Sequence, residues 1–312
     1  MFSDYRKALT ALGVTLVVVL AIDYRLDPAR ARTLAAMADR SAAAAATAAA
    51  RASPGAQAVA SELRVCADPN NLPFSNAREQ GFENALARLI AVDLGRTLRY
   101  VWWPERRGFL RNTLDTHACD VVMGAPAGDA QMLTTRPYYR STYVFVTRRD
   151  RQLRLRSYDD PRLRALRIGV HTNVPPTQVL AVRELQNNIR GYSIYGNYLE
   201  PDPPRALIDA VARGDVDVAI AWGPLAGYFA PREPVPLELM PAPTPSDLAY
   251  LPMSFAICMG VRHEDATLRT LLDAEIVRRR QQIDALLRRF DVPLVATDGQ
   301  VWIAQTLQGE AR

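Results

Sequence analysis

LRVCADPNNLPFSNAREQGFENALARLIAVDLGRTLRYVWW, residues 63–103, is the stretch whose reading decides the fold. Leu63 to Ala67 is short and apolar, as expected of a buried strand. Gly81 to Leu94 places apolar residues at helical spacing and stops at Gly95, a common helix terminator. Leu98 to Trp103 reads as a second strand. Further on, a helix over Phe109 to Thr116 leads into a strand over Asp120 to Gly124. Strands alternating with helices predict a parallel sheet with helices packed on it.

After a polar stretch at 148–164 the pattern restarts. The expected elements are strand Leu166–Val170, helix Thr177–Gln186, strand Tyr192–Tyr195, helix Arg205–Arg213 and strand Val216–Trp222. The two blocks echo each other: DVVMGAPAG at 120–128 corresponds to DVAIAWGPLAG at 217–227. Pro231, Pro234, Pro236, Pro241, Pro243, Pro245 and Pro252 then make a segment unfit for a central strand or a helix interior, and it is expected to be a stiff connection. Met253 to Val261 is strand-like. Thr267 to Phe290 is expected to be one helix, with Leu268, Leu271, Leu272, Ile276, Ile283, Leu286 and Leu287 on one side. These last elements are too few for a third domain and return to the first block. The boundaries that follow are 61–147 with 252–312 for one lobe and 148–251 for the other, crossing near Tyr143–Arg149 and Leu251–Ala256.

Of the 38 basic residues, Lys7 alone is lysine. A chain whose folded body has no lysine cannot use a P-loop, Schiff-base chemistry or a lysine general base. The net charge is +5, but residues 1–60 carry seven positive and four negative side chains, which leaves 61–312 close to neutral. Arg278, Arg279, Arg280, Arg288 and Arg289 form the densest basic run. At helical spacing it reads as a solvated face, and no nucleic-acid partner is expected.

Arg6 and Lys7 precede the apolar run Ala8–Ile22, which has the length of an export-signal core and falls short of a comfortable membrane span. Asp23, Tyr24 and Arg25 follow without a nearby small-x-small cleavage site, so an uncleaved anchor is the rival reading. Either way, membrane contact is expected only through this segment. Alanine dominates residues 31–60, with a Ser-Pro-Gly break at 53–55, as in a spacer.

Cys66, Cys119 and Cys258 permit at most one internal disulfide. Were Cys66 and Cys119 on parallel neighbouring strands in matched register, an offset of about three residues would separate their sulfurs by roughly 10 Å, too far to bridge. His117, His171 and His263 form no ligand-spaced cluster, so no metal site is expected.

Six pieces in order carry a resemblance: LRVCADPNNLPFS (63–75), GFENALARLIAVDLG (81–95), CDVVMG (119–124), TTRPYYRSTYVFV (134–146), LRIGVHTN (166–173) and DVDVAIAWGP (215–224). Together they resemble the type 2 periplasmic solute-binding proteins, particularly the family-3 amino-acid binders. YVWWPERRGFLRNTL (100–114) and RPYYRSTYVFVTR (136–148) narrow the resemblance to the MoxJ/XoxJ group, periplasmic partners of pyrroloquinoline-quinone-dependent methanol dehydrogenases. It covers residues 61 to about 300 and implies an α/β fold of two Rossmann-like lobes joined by two hinge crossings. It also implies a non-enzymatic accessory factor with no cofactor of its own and a quinoprotein alcohol dehydrogenase as partner. The alternative is an importer's binding component that docks on an ABC permease.

In open parallel sheets ligands bind beyond the carboxyl ends of strands. That rule nominates Asp68, Asn70, Asn71 and Phe74 after the first strand, Trp103, Arg106 and Arg107 after the second, and Ala125 and Pro126 after the third. Tyr138 adds an aromatic wall. The other block supplies His171, Thr172 and Asn173, with Trp222 and Gly223. Thr172 or Asn173, ahead of a helix opened by Pro175 and Pro176, is either an anion site of free amides or a simple N-cap. Sheet-core packing competes for Trp102, Trp103 and Tyr143, and solvent for Arg106 and Arg107.

The resemblance also shows departures. Amino-acid binders of the group clamp the substrate carboxylate with an arginine after the third strand and the amine with an aspartate in the other lobe. Here the loop reads APAGDAQMLTTR (125–136), with no arginine before Arg136, and Trp222 takes the aspartate's place. Losing both clamps, each worth about 1.5–3 kcal/mol, removes micromolar affinity for a free amino acid. The expected occupant is a large aromatic anion or a protein segment with apolar anchors. No Gly-x-Ser-x-Gly elbow, His-Glu-x-x-His or dinucleotide fingerprint is present. Asp68 and Glu83 could flank a cleft as glycosidase carboxylates do, but hinge and cap roles are the better expectation.

Overall fold

The structure, a computed structural model, describes residues 61–194 and 203–304. The export segment and spacer expected within 1–60 lie outside them, as does Tyr195.

Apolar alternation at the start of the described chain gives β1 (Glu62–Ala67), followed by the short β2 (Asn70–Asn71) and β3 (Ser75–Asn76). Helix α1 (Phe82–Asp93) then buries Phe82, Leu86, Ala87 and Ile90, and β4 is Thr97–Trp102. Gly95, at φ 62°, takes the left-handed turn that glycine adopts without steric cost. A single helical turn, α2 (Phe109–Asn112), replaces the longer helix expected over 109–116. Thr113 ends it at φ −130°, donating through Oγ1 to the carbonyl of Phe109 (2.7 Å).

Next come β5 (Val121–Pro126), β6 (Leu133–Thr134) and the long β7 (Tyr139–Arg148). The second block contains β8 (Ile168–His171), α3 (Pro175–Val182), β9 (Ile189–Tyr192), α4 (Ala206–Arg213) and β10 (Val218–Trp222). Helix α5 (Gly223–Phe229) starts directly after β10 with proline in its first turn; the GPLAG sequence held that signal, but no helix was expected there. The chain continues through β11 (Leu237–Pro241), β12 (Ser254–Val261), α6 (Ala266–Arg278) and α7 (Arg280–Arg289), and the last described elements are β13 (Leu294–Val295) and β14 (Val301–Trp302).

The sheet is mixed rather than parallel. Its main path runs β4-β1-β5-β12-β7-β10-β8-β9. Pairings of β1 with β4 and β5, and of β8 with β9 and β10, are parallel. Those of β12 with β5 and β7, and of β7 with β10 and β11, are antiparallel. Strand β7 joins the blocks: Tyr139–Thr142 pair with β12, whereas Tyr143–Thr147 pair with β10. The proline-dense segment contributes β11 between Pro236 and Pro241, contrary to the expected plain connection. Among the described residues its one partner is β7, so it occupies an edge, where proline's missing N–H is tolerated.

Arg279, at φ −102° and ψ 16°, divides the expected 267–290 helix into α6 and α7. Its guanidinium turns back to Asp93 on α1 (Nε to Oδ2, 2.6 Å), and Arg278 reaches the same carboxylate (3.1 Å). Arg280 pairs with Asp284. Arginines read as a solvated face are thus partly spent fastening helices.

Cys66 and Cys119 form a disulfide with their Cα atoms 5.4 Å apart, correcting the expectation that they could not bridge. The expectation assumed that Cys119 lies on a strand in line with β5. Instead β5 begins at Val121, and Cys66 pairs with Val122. The approach to β5 is held over β1: the Asp120 amide donates to the Arg64 carbonyl (2.7 Å), and the Arg64 Nε donates to the Asp120 carboxylate (2.9 Å). Cys119 therefore lands on the face occupied by Cys66, Phe109, Leu114, Val122, Ala125 and Met132. Cys258 is a buried free thiol.

Candidate functional site

Where β7 passes from one set of partners to the other, aromatic side chains converge. Trp222, at the end of β10, lies 5.2 Å from the Tyr143 ring and 5.9 Å from Phe255 on β12. Phe74, in the turn between β2 and β3, packs edge-on against Phe82 at 5.4 Å, and Phe82 in turn supports Tyr139 at 5.9 Å. Trp222, Tyr143, Phe255, Phe74 and Tyr139, with Phe82 behind them, wall a cavity of about 300 Å³, also lined by Asn71, Glu83, Glu105, Gly124, Pro126, Ile194, Leu225 and Ile257. That volume is at the lower end for small-molecule pockets.

The polar part of this lining is acidic. Among the described residues, no arginine or histidine lines the cavity. Glu105, beyond the end of β4, accepts a hydrogen bond from Asn71 Nδ2 (2.9 Å). Burial and then the neighbouring Asp68 charge push its pKa up to about 7, against the Asn71 hydrogen bond. Glu83, in the first turn of α1, faces Gly124, where an added Cβ would collide with the carboxylate. Glu83 is held well above the usual carboxylate range by burial and then by the nearby Glu105.

A raised carboxylate pKa opposes folding at high pH. Below the unfolded value of about 4.3 both states bind the proton and nothing is lost. As pH rises toward 7 the unfolded chain ionises while folded Glu105 retains its proton, so stability falls. Glu105→Gln is therefore expected to stabilise the protein at pH 8 by on the order of 2–3 kcal/mol and to change little at pH 4.5. Urea unfolding at the two pH values checks this; equal gains at both would remove the titration as cause.

Only part of the nominated set meets here. Asn71, Phe74, Pro126 and Trp222 line the cavity. Asp68 is buried beneath it, accepting from the amides of Asn70 and Glu105 (both 2.7 Å), which ties the loops after β1 and β4 together. Asn70 is half-buried in β2.

The others lie elsewhere. Tyr138 is fully enclosed in the core, one residue out of phase with Tyr139. Ala125 faces the disulfide cluster, and Gly223 packs beneath the Thr142 carbonyl. Trp103, 39% exposed, and the exposed Arg106 and Arg107 do not reach the lining, so the guanidinium edge expected for an anion is absent from it. His171 is buried, and its pKa falls to about 4 through loss of hydration. Thr172 and Asn173 are exposed. The N-cap of α3 is Val174, without a side-chain cap bond, and Asn173 sits at φ 60° in the preceding turn.

Sequence reasoning missed Glu105, Tyr139 and Phe255 as lining, and gave Glu83 a cap role. Glu105 follows the same strand end as Trp103 and was within reach of the strand-end rule. Phe255 lies on a strand whose role as the neighbour of β7 shows only in the pairing. Among the described residues, no group of three or more His, Cys, Asp or Glu could hold a metal, and no helix is long and apolar enough to cross a membrane.

This fold, with its cavity at the meeting of two strand–helix blocks, is that of a type 2 periplasmic solute-binding protein. The crystal structure of periplasmic binding protein XoxJ from Methylobacterium extorquens AM1 superposes with a TM-score of 0.62 at 36% identity, over 75% of this chain and 99% of that one. An ancestral cationic amino acid solute-binding protein, 18% identical with a TM-score of 0.60 over 75% of this chain and 96% of its own, shares the fold alone. Protein MoxJ of Methylorubrum extorquens (strain ATCC 14718 / DSM 1338 / JCM 2805 / NCIMB 9133 / AM1) is 33% identical over 258 residues, 78% of this chain and 85% of the relative. The chain belongs to the MoxJ family of periplasmic binding proteins. No protein-family model matches it.

Proposed function

We propose that this chain is a non-catalytic periplasmic accessory factor of a pyrroloquinoline-quinone-dependent methanol or alcohol dehydrogenase, acting in its maturation, activation or cofactor or metal loading. In this reading residues 61–147 with 252–312 form one lobe and 148–251 the other. The lobes hinge where the chain crosses at β7 and before β12, and the cleft between them receives part of the dehydrogenase. One observation carries the reading: among the described residues the pocket has aromatic walls and neither a lining arginine nor an aspartate at Trp222, so an α-amino acid lacks both of its charged anchors. Membership of the MoxJ family supports the choice of partner. The Cys66–Cys119 disulfide supports an oxidising compartment, as does the apolar run Ala8–Ile22.

Purification of the tagged full-length chain from its own host tests the role. A quinoprotein dehydrogenase is expected to co-purify. Recovery of permease and ATPase subunits without a dehydrogenase would overturn the proposal in favour of import.

A further inference from the structure

The aromatic pocket carries a chemistry that the accessory role does not use. Glu83 arrives from α1 and Glu105 from the loop after β4, yet both reach one cavity whose remaining walls are mainly rings. Asn71 satisfies one oxygen of Glu105. Among the described residues the Glu83 carboxylate has no hydrogen-bond or ion-pair partner, and its place over Gly124 is one that any side chain at 124 would fill. Two acids sharing a desolvated space without a counter-charge are costly, and a bound positive group relieves that cost while aromatic faces attract it further.

We infer that the pocket binds an organic cation, an ammonium or guanidinium on an apolar stem that carries no carboxylate. Trp222, Tyr143 and Phe255 would hold the stem, and Glu83 and Glu105 the charge. A zwitterionic amino acid is excluded, because its carboxylate would meet the same acids with no basic side chain among the described lining residues to receive it. This assignment stands on the pocket and not on the accessory role. The positive group belongs either to a free amine or to a basic side chain of a bound polypeptide, which share this chemistry.

Charge also sets the pH dependence. The titratable groups close enough to act on the pair are Asp68, beyond β1, Tyr100 on β4, the enclosed Tyr138 just before β7, and Tyr139 at its start. Burial holds the three tyrosines above their ordinary range, so Glu105, pushed up to about 7, is the group that ionises near neutrality, while burial keeps the neighbouring Glu83 protonated to higher pH than a free carboxylate. A cation favours the ionised carboxylates, so binding releases protons and tightens as pH rises.

Calorimetry with the full-length chain tests the inference. Agmatine and phenethylamine are expected to bind at pH 8 at least ten times more tightly than arginine, phenylalanine and the neutral 2-phenylethanol, and more weakly at pH 5.5. The Glu83→Gln/Glu105→Gln double variant is expected to lose at least tenfold in affinity for both amines while melting no lower than the parent at pH 8. Blocked tripeptides bearing central arginine or lysine separate the sources: tighter binding of the peptides assigns the site to a side chain, tighter binding of the amines to a free solute. Equal affinity for 2-phenylethanol and phenethylamine, or no binding of either amines or peptides, would overturn the inference. Neither result would bear on whether a dehydrogenase co-purifies.

Discussion

Replacing Cys66 and Cys119 together with alanine is expected to lower the unfolding free energy by about 4 kcal/mol, the chain-entropy value for a loop of this length. The bond closes 53 residues that contain α1, β4 and α2, so it restrains most of one block in the unfolded chain. It is enclosed by Phe109, Leu114 and Met132, so the folded state should keep its shape without it. Urea unfolding of parent and double variant, each with and without reductant, reads the effect. The parent should lose stability on reduction and the variant should not; coincident curves for all samples would show that the bond contributes nothing.

Phe82→Ala is expected to cost about 3–5 kcal/mol, the range for deleting a fully enclosed aromatic ring. Phe82 is completely buried at the start of α1, where its ring meets Phe74, Tyr139 and Phe290 edge-on at 5.4, 5.9 and 5.8 Å. Two of those neighbours are pocket walls, so the substitution should loosen the cavity as well as the core. Phe82→Leu refills most of the volume and should recover much of the loss. Denaturant midpoints for the two variants check the argument, and a loss under 1 kcal/mol for alanine would show that the core collapses around the gap.

The elements that could be read in advance were those with a long apolar period. Helix α1 and strands β1, β4, β10 and β12 fall within about two residues of their expected ends, because alternation and helical spacing follow from burying one face. Partners were harder. β7 draws β12 to one half and β10 and β11 to the other, pairings between segments far apart in sequence. No local signal announces them.

The same limit acts on the site. The strand-end rule found Asn71, Phe74, Pro126 and Trp222, but could not tell which neighbours point inward. A one-residue step separates enclosed Tyr138 from Tyr139 in the wall, and Ala125 from Pro126. Arg106 and Arg107 promised a basic edge, yet the nearby Glu105 enters the cavity because the Asp68 carboxylate fixes its backbone amide and Asn71 holds its side chain. Such a choice between neighbouring residues is made by hydrogen bonds across loops, which spacing does not encode.

That this binding-protein pocket has lost its grip on zwitterions is tested most directly by calorimetric titration of the full-length chain with each standard α-amino acid at neutral pH. No dissociation constant tighter than about 1 mM is expected, since the two missing charged anchors are each worth about 1.5–3 kcal/mol. A micromolar constant for any of them would contradict it.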